Sequence, residues 1–161
     1  MKKIVVVLMA MMMVFSFAAC GSAAPEGNDT DTEKVSDAGN LGDYEVAIKD
    51  CRIVQDYEGK DTAAITYEFT NNSEEAAAFD VACVYAVYQD GVELEYTSVY
   101  ENEDDYTTLD GDVSKQIQPG KTIEVTTTNR LTDSDQDVTV EVEEFLGFGN
   151  KKLTKTFSIK K

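Results

Sequence analysis

The chain contains no histidine and no tryptophan, and only two prolines and three cysteines. Without histidine there is no Ser-His-Asp or Cys-His nucleophilic machinery and no histidine-bearing metal site. Without tryptophan a common sugar-stacking side chain is missing, although eight tyrosines remain. Bases are scarce too: 14 against 31 acids, a formal charge of −17. A surface of that sign repels phosphate backbones, so no nucleic acid is expected as a partner. Long apolar runs are confined to one place. Ile4 to Phe17 is apolar except for Ser16, and no second run of that length follows.

That run has the anatomy of an export signal. Met1-Lys2-Lys3 is a short basic head, and about 14 apolar residues fall in the range of a signal-peptide core, short of the roughly 20 that a spanning helix needs. Phe17-Ala18-Ala19-Cys20-Gly21 follows. This resembles the bacterial lipobox, with Phe17 where leucine is usual. The resemblance implies cleavage before Cys20 and a thioether-linked diacylglycerol on its sulfur. Two acyl chains hold a protein stably on a bilayer where one does so marginally. The expected location is therefore the outer face of the bacterial cytoplasmic membrane, with the membrane itself as a partner through the lipid.

Three regions are expected: 1–19 as lipoprotein signal peptide, 20–40 as lipidated cysteine and disordered acidic tether, and 41–161 as one folded domain. Residues 21–40 hold almost nothing apolar beyond alanine and Val35, too little to offset chain entropy. A flexible coil of that length spans roughly 25 Å r.m.s.. The domain is large enough to bury about two thirds of its unfolded surface without a metal or disulfide. With Cys20 assigned to lipid, Cys51 and Cys83 are the one candidate disulfide pair in an oxidising compartment.

Period-two alternation dominates the domain. Tyr44, Val46 and Ile48 alternate with polar neighbours, and the phase slips near Cys51, which predicts a bulge. Ala63, Ile65, Tyr67 and Phe69 predict a second strand. Phe79 to Gln89 is apolar on both faces and predicts a covered central strand. Asp90-Gly91 predicts a tight hairpin turn, with 92–100 returning. A short strand at 114–118, another marked by Ile123, Val125, Thr127 and Leu131, one with Val138, Val140 and Val142 inward, and a last with Leu153, Phe157 and Ile159 inward complete the set. The expected fold is all-β: an immunoglobulin-like antiparallel β-sandwich of seven to eight strands, with a barrel as the alternative. ITYEFTNNSEEAAAF, VYQDGVEL, QPGKT and DVTVEVEE, behind a lipobox and an acidic tether, are similar to a family of small Gram-positive lipoproteins with an immunoglobulin-like domain of unknown function. The resemblance covers roughly 41–160 and brings no catalytic residues.

Candidate sites are few. Glu101, Glu103, Asp104, Asp105, Asp110 and Asp112 crowd one loop with Gly111, and hard cations such as Ca²⁺ take six to eight oxygens from such loops. Asp133, Asp135 and Asp137 mimic the opening of a calcium loop, but Val138 stands where that loop needs glycine, so a turn is expected. Tyr85, Tyr88, Tyr96, Tyr100 and Tyr106 are candidates for a binding face or for packing. The five lysines of 151–161 suit either an anionic surface or a charged edge strand. No catalytic residues, no enzyme activity and no cofactor beyond the lipid and a candidate Ca²⁺ are expected. The function read from these features is a membrane-anchored, non-catalytic binding or interaction module for an envelope protein or glycan. The alternatives are a cation-binding or envelope-sensing lipoprotein, and a hydrolase.

Overall fold

A computed structural model describes residues 36–102, 107–147 and 151–159. The chain divides into a unit Met1–Thr32 and a unit Glu33–Lys161; all described residues belong to the second. The signal peptide, Cys20 and most of the tether therefore lie outside the described residues. No helix among the described residues is long and apolar enough to cross a membrane.

Two four-stranded antiparallel sheets build the domain. One runs β1 (Ala38–Leu41), β2 (Tyr44–Gln55), β3 (Asp61–Asn71), β8 (Lys121–Arg130). The other runs β10 (Lys152–Phe157), β9 (Val138–Glu144), β4 (Cys83–Gln89), β5 (Val92–Glu93). A small hairpin, β6 (Tyr100–Asn102) with β7 (Thr107–Thr108), stands apart. Three consecutive strands and a fourth that returns from the other sheet make the first layer, so the domain is an antiparallel β-sandwich whose chain crosses between its sheets. The alternation read from sequence explains the packing. Val46, Ile48, Ile65, Tyr67, Phe69 and Val125 of the first sheet meet Val87, Val138, Val140, Val142 and Leu153 of the second, all buried in one core. The phase slip is a register shift between Ile48 and Asp50.

Phe79 to Gln89 is not one strand. Phe79–Ala82 forms one helical turn, α1, and the strand begins at Cys83. A helical turn puts residues three apart on one side. Phe79 and Ala82 are both buried, while Val81 is exposed. Phe79 plugs the core, with ring centroids 5.0 Å from Tyr67, 5.6 Å from Tyr85 and 5.7 Å from Phe69. Burying a side chain of this size stabilises by about 1.5–3 kcal/mol.

Both open seams of the sandwich are bridged by segments that change sheets. On one side the return strand expected over 92–100 pairs with β4 for two residues only. Leu94 N then donates to Val87 O (2.7 Å) on one sheet, and Thr97 N to Thr128 O (3.2 Å) on the other. On the other side Thr154 N donates to Ser36 O and Ile48 N to Asp37 O, each at 2.8 Å. Lys155 Nζ donates to the carbonyls of Ile48 (2.8 Å) and Lys49 (3.0 Å) at the bulge. The tether thus ends before residue 40. Ala38–Leu41 is a strand held by backbone pairing to β2, which a polar Gly-Asn sequence does not advertise. The strand expected at 114–118 is irregular chain between two turns, with one isolated bridge, Ala77 to Ile117.

The two ends of the sandwich differ. At one, Glu144 folds over the Leu41–Tyr44 turn so closely that a Cβ on Gly42 would meet its carboxylate. At the other, buried Gln89 organises the turn after β8. Its Nε2 donates to Asp133 O (2.6 Å) and Gln136 O (3.0 Å). Its Oε1 accepts from Thr132 N and Oγ1 (2.9 Å each) and Asp133 N (3.2 Å).

The candidate disulfide is not formed: Cys51 and Cys83 are free thiols. The register explains why. Cys51 sits opposite Ile65, toward the Gln89 end of its sheet, while Cys83 sits opposite Glu144 at the Gly42 end of the other. Burial, and then the Asp50 charge, pushes the Cys51 thiol up to about 11. Burial, and then Glu144, pushes the Cys83 thiol up to about 12. Both stay protonated and unreactive at neutral pH.

Replacing Gln89 by Met strands two backbone donors and two carbonyls of the 132–136 turn. The expected loss is about 3 kcal/mol of unfolding free energy, read from urea melts, with the strand content of the native state unchanged.

Candidate functional site

The best-built surface feature grows from one carboxylate. β2 ends at Gln55, and the hairpin 56–60 turns the chain back, with Gly59 at φ +74°. Asp56 Oδ1 accepts from Glu58 N (2.9 Å) and Lys60 N (3.0 Å), which closes the turn. Its Oδ2 accepts from Arg130 Nε (2.8 Å), pairs with Arg130 Nη2 (2.6 Å), and accepts from Thr97 Oγ1 (3.2 Å). Arg130 Nη2 also pairs with Glu58 at 3.0 Å. Three separate segments meet on this group: the β2–β3 hairpin, the end of β8, and the crossing segment at Thr97. The Asp56 side chain is fully buried. Burial alone would raise its pKa, but hydrogen bonds from Lys60 N, Arg130, Glu58 N and Thr97 outweigh it and hold the carboxyl below the usual 3.8.

The crossing segment is fastened to β8 along its length. Arg130 N donates to Glu95 O (2.9 Å), Asn129 Nδ2 to Leu94 O (3.2 Å), and Thr128 Oγ1 to Thr97 O (2.6 Å). With both walls held, the side chains between them project outward. Tyr57 is 65% exposed and Tyr96 59%. They flank a groove of about 300 Å³ with Glu95, Thr97, Ser98 and Arg130. Tyr96 OH donates to Asp110 Oδ2 (2.5 Å) and lies 3.0 Å from Ser98 Oγ. Desolvation, then that bond to Asp110, raises the phenol's pKa. The arrangement offers two ring faces, a guanidinium and carboxylates on a stiff frame, which is the equipment of a binding surface.

Only part of the expected acidic constellation comes together. Glu101 and Asp112 line a cavity of about 430 Å³, joined from β8 by Glu124 and Thr126. Asp110 turns away to Tyr96, and Asp112 is 3.5 Å from Lys115 Nζ. Glu103, Asp104 and Asp105 lie outside the described residues. Among the described residues no three Asp, Glu, Cys or His side chains are grouped to hold a metal ion. Asp133 to Asp137 is a turn, with Asp135 N donating to Asp133 Oδ1 at 2.8 Å.

The tyrosines divide. Tyr85 stacks on Phe79, and Tyr88 is half-buried on β4; Tyr96 and Tyr100 are exposed; Tyr106 lies outside the described residues. Tyr57 and Glu124 were not among the expected site residues. The Asp-Tyr-Glu-Gly-Lys turn signal marks Tyr57 as a loop aromatic, and the alternation of β8 puts Glu124 on its outer face. Arg130 carried no sequence signal, because its partner lies 74 residues away.

The family model described as Domain of unknown function (DUF5067) matches residues 21–144. The chain belongs to that family. Two solved structures share the fold. One is described as "a putative lipoprotein from Staphylococcus aureus subsp. aureus NCTC 8325", with TM-score 0.55 and 17% identity over 78% of this chain and 91% of that one. The other is an uncharacterized beta-sandwich protein from Clostridium difficile 630, with TM-score 0.54 and 16% identity over 77% and 91%. No curated protein matches the chain. At such identities the DUF5067 chain and its neighbours share architecture, so its site has to be argued from its own side chains.

Stability should record the Asp56 linkage. A depressed carboxyl contributes stability that is fully present above its unfolded value near 3.8 and is lost as pH falls through the lower folded value. Urea midpoints measured downward from pH 6 should fall below about pH 4. Asp56→Asn should be less stable at neutral pH and show a shallower acid decline.

Proposed function

We propose that this protein is a lipid-anchored, non-catalytic binding module at the outer face of the bacterial cytoplasmic membrane, of the small Gram-positive lipoprotein type. The lipid is carried by Cys20. The Tyr57–Tyr96 groove is the binding face, and its ligand is an envelope protein or glycan rather than a nucleic acid. One observation carries the reading: two tyrosines, each more than half exposed, stand on a frame whose buried carboxylate is fully hydrogen-bonded. Exposed aromatics on rigid supports are the usual anchors of recognition, because a ring brings contact area at little entropic cost. The test is capture from detergent-solubilised envelope with the mature protein. Tyr57→Ala combined with Tyr96→Ala should lose the captured ligand while keeping the wild-type melting temperature. Capture equal to wild type would remove the groove from the account.

The second reading is cation binding or envelope sensing by the acidic loop, whose Glu101 and Asp112 line one cavity with Glu124. The three are not grouped as a ligand set, so a hard cation there would have to draw them together. Millimolar Ca²⁺ should then raise the melting temperature, and Asp112→Asn with Glu124→Gln should abolish the rise. An unchanged melting temperature rejects this reading.

A further inference from the structure

We infer that the Gly42 end of the sandwich carries an apolar tip that rests on the lipid bilayer; this depends on the lipid anchor at Cys20 proposed above. Four large apolar side chains are exposed at that end: Val81 (66%) on α1, Val84 (50%) at the start of β4, and Phe145 (51%) and Leu146 (78%) in the turn after β9. They are neighbours, since Phe145 N donates to Ala82 O (2.9 Å) and Val84 pairs with Glu143 beside them. Leu146 has φ +62°, a left-handed conformation that a bulky residue adopts at a cost. The turn therefore spends backbone strain on displaying a leucine to the outside. In a chain of charge −17, such a patch marks a contact surface.

Chain length selects the occupant. Fifteen residues lie between Cys20 and Ser36, where the chain is fastened to Thr154 of β10. A chain of that length reaches at most about 55 Å. Thr154 is two residues along β10 from Lys152, about 7 Å at strand rise, and Lys152 pairs with Glu143 at the tip end. The anchored domain therefore cannot leave the neighbourhood of the bilayer, and the tip lies well within reach of it.

Charge at this end is mixed, with Asp43, Glu45, Asp80 and Glu143 exposed and two lysines among them. Lys152 pairs with Glu141 (2.9 Å) and Glu143 (3.6 Å). Glu144 is folded back against Gly42 and Gly147, and exposed Lys151 lies over Gly39. Apolar side chains beside lysines suit the boundary between headgroups and acyl chains. Asp56, Tyr57 and Arg130 lie at the opposite end, so resting on this tip would turn the groove outward.

The absence of tryptophan makes the test clean. The lipidated mature protein carrying Leu146→Trp, or Phe145→Trp as a second reporter, is reconstituted in phosphatidylcholine–phosphatidylglycerol vesicles with brominated acyl chains. The tip reporters should lose roughly half their emission relative to unbrominated vesicles, because they sit at acyl-chain depth. Val92→Trp, exposed at the Gln89 end, should keep its emission. A protein that floats with the vesicles while its tip reporters stay unquenched overturns the inference and leaves the anchor intact. Failure to float overturns the anchor and this inference with it. A concentration-dependent blue shift of the tip reporters without bromine quenching assigns the tip to a second copy instead and also overturns it.

Discussion

The Asp56 carboxylate is the constraint on which the groove end of this molecule depends. Its side chain is fully buried, so its oxygens depend on protein donors. The donors come from the hairpin it starts, from the end of β8 and from the segment that leaves one sheet for the other. Removing any one of these segments would leave a buried charge short of partners, which costs far more than a solvated ion pair contributes. The groove is therefore a consequence of satisfying one buried charge. Tyr57 and Tyr96 flank it because both belong to the segments that Asp56 draws together.

Gln89 plays a related part a short distance away. A neutral amide with two donors and two acceptor sites can replace the hydrogen bonds that a buried turn would otherwise lack. It does so for the 132–136 turn, and the core strand β4 is joined through it to the loop that follows β8. Together the two polar hubs make one end of the sandwich rigid through hydrogen bonds. The aromatic plug of Phe79 against Tyr67, Phe69 and Tyr85 makes the middle rigid through packing.

Much of the fold was legible because sheets advertise themselves locally. Val138, Val140 and Val142 alternate as the sequence alternates, and the phase slip near Cys51 is a real bulge. What was not legible depends on contacts distant in the chain. A run such as Phe79 to Gln89 reads as one strand, yet the buried volume at Phe79 favours a helical turn before pairing starts. Ala38–Leu41 lacks apolar alternation and exists because β2 offers it a backbone edge. At the site, density of carboxylates pointed to the 101–113 loop, but Asp110 bonds Tyr96, while Glu101 and Asp112 line a cavity without it. Arg130 and Tyr57 stood among ordinary surface residues, since their importance comes from Asp56, whose burial only the fold reveals.

On the reading proposed above, a sandwich with an apolar end and an aromatic groove at the other is a display device, one end suited to the membrane and the other to a ligand. The most direct measurement of that account is photo-crosslinking in living cells from a photoreactive phenylalanine placed at position 57, compared with the same group at position 92. The account predicts a discrete adduct from position 57 that the Tyr96→Ala background suppresses, and none from position 92. Adducts absent from position 57, or equally abundant from both positions, would contradict it.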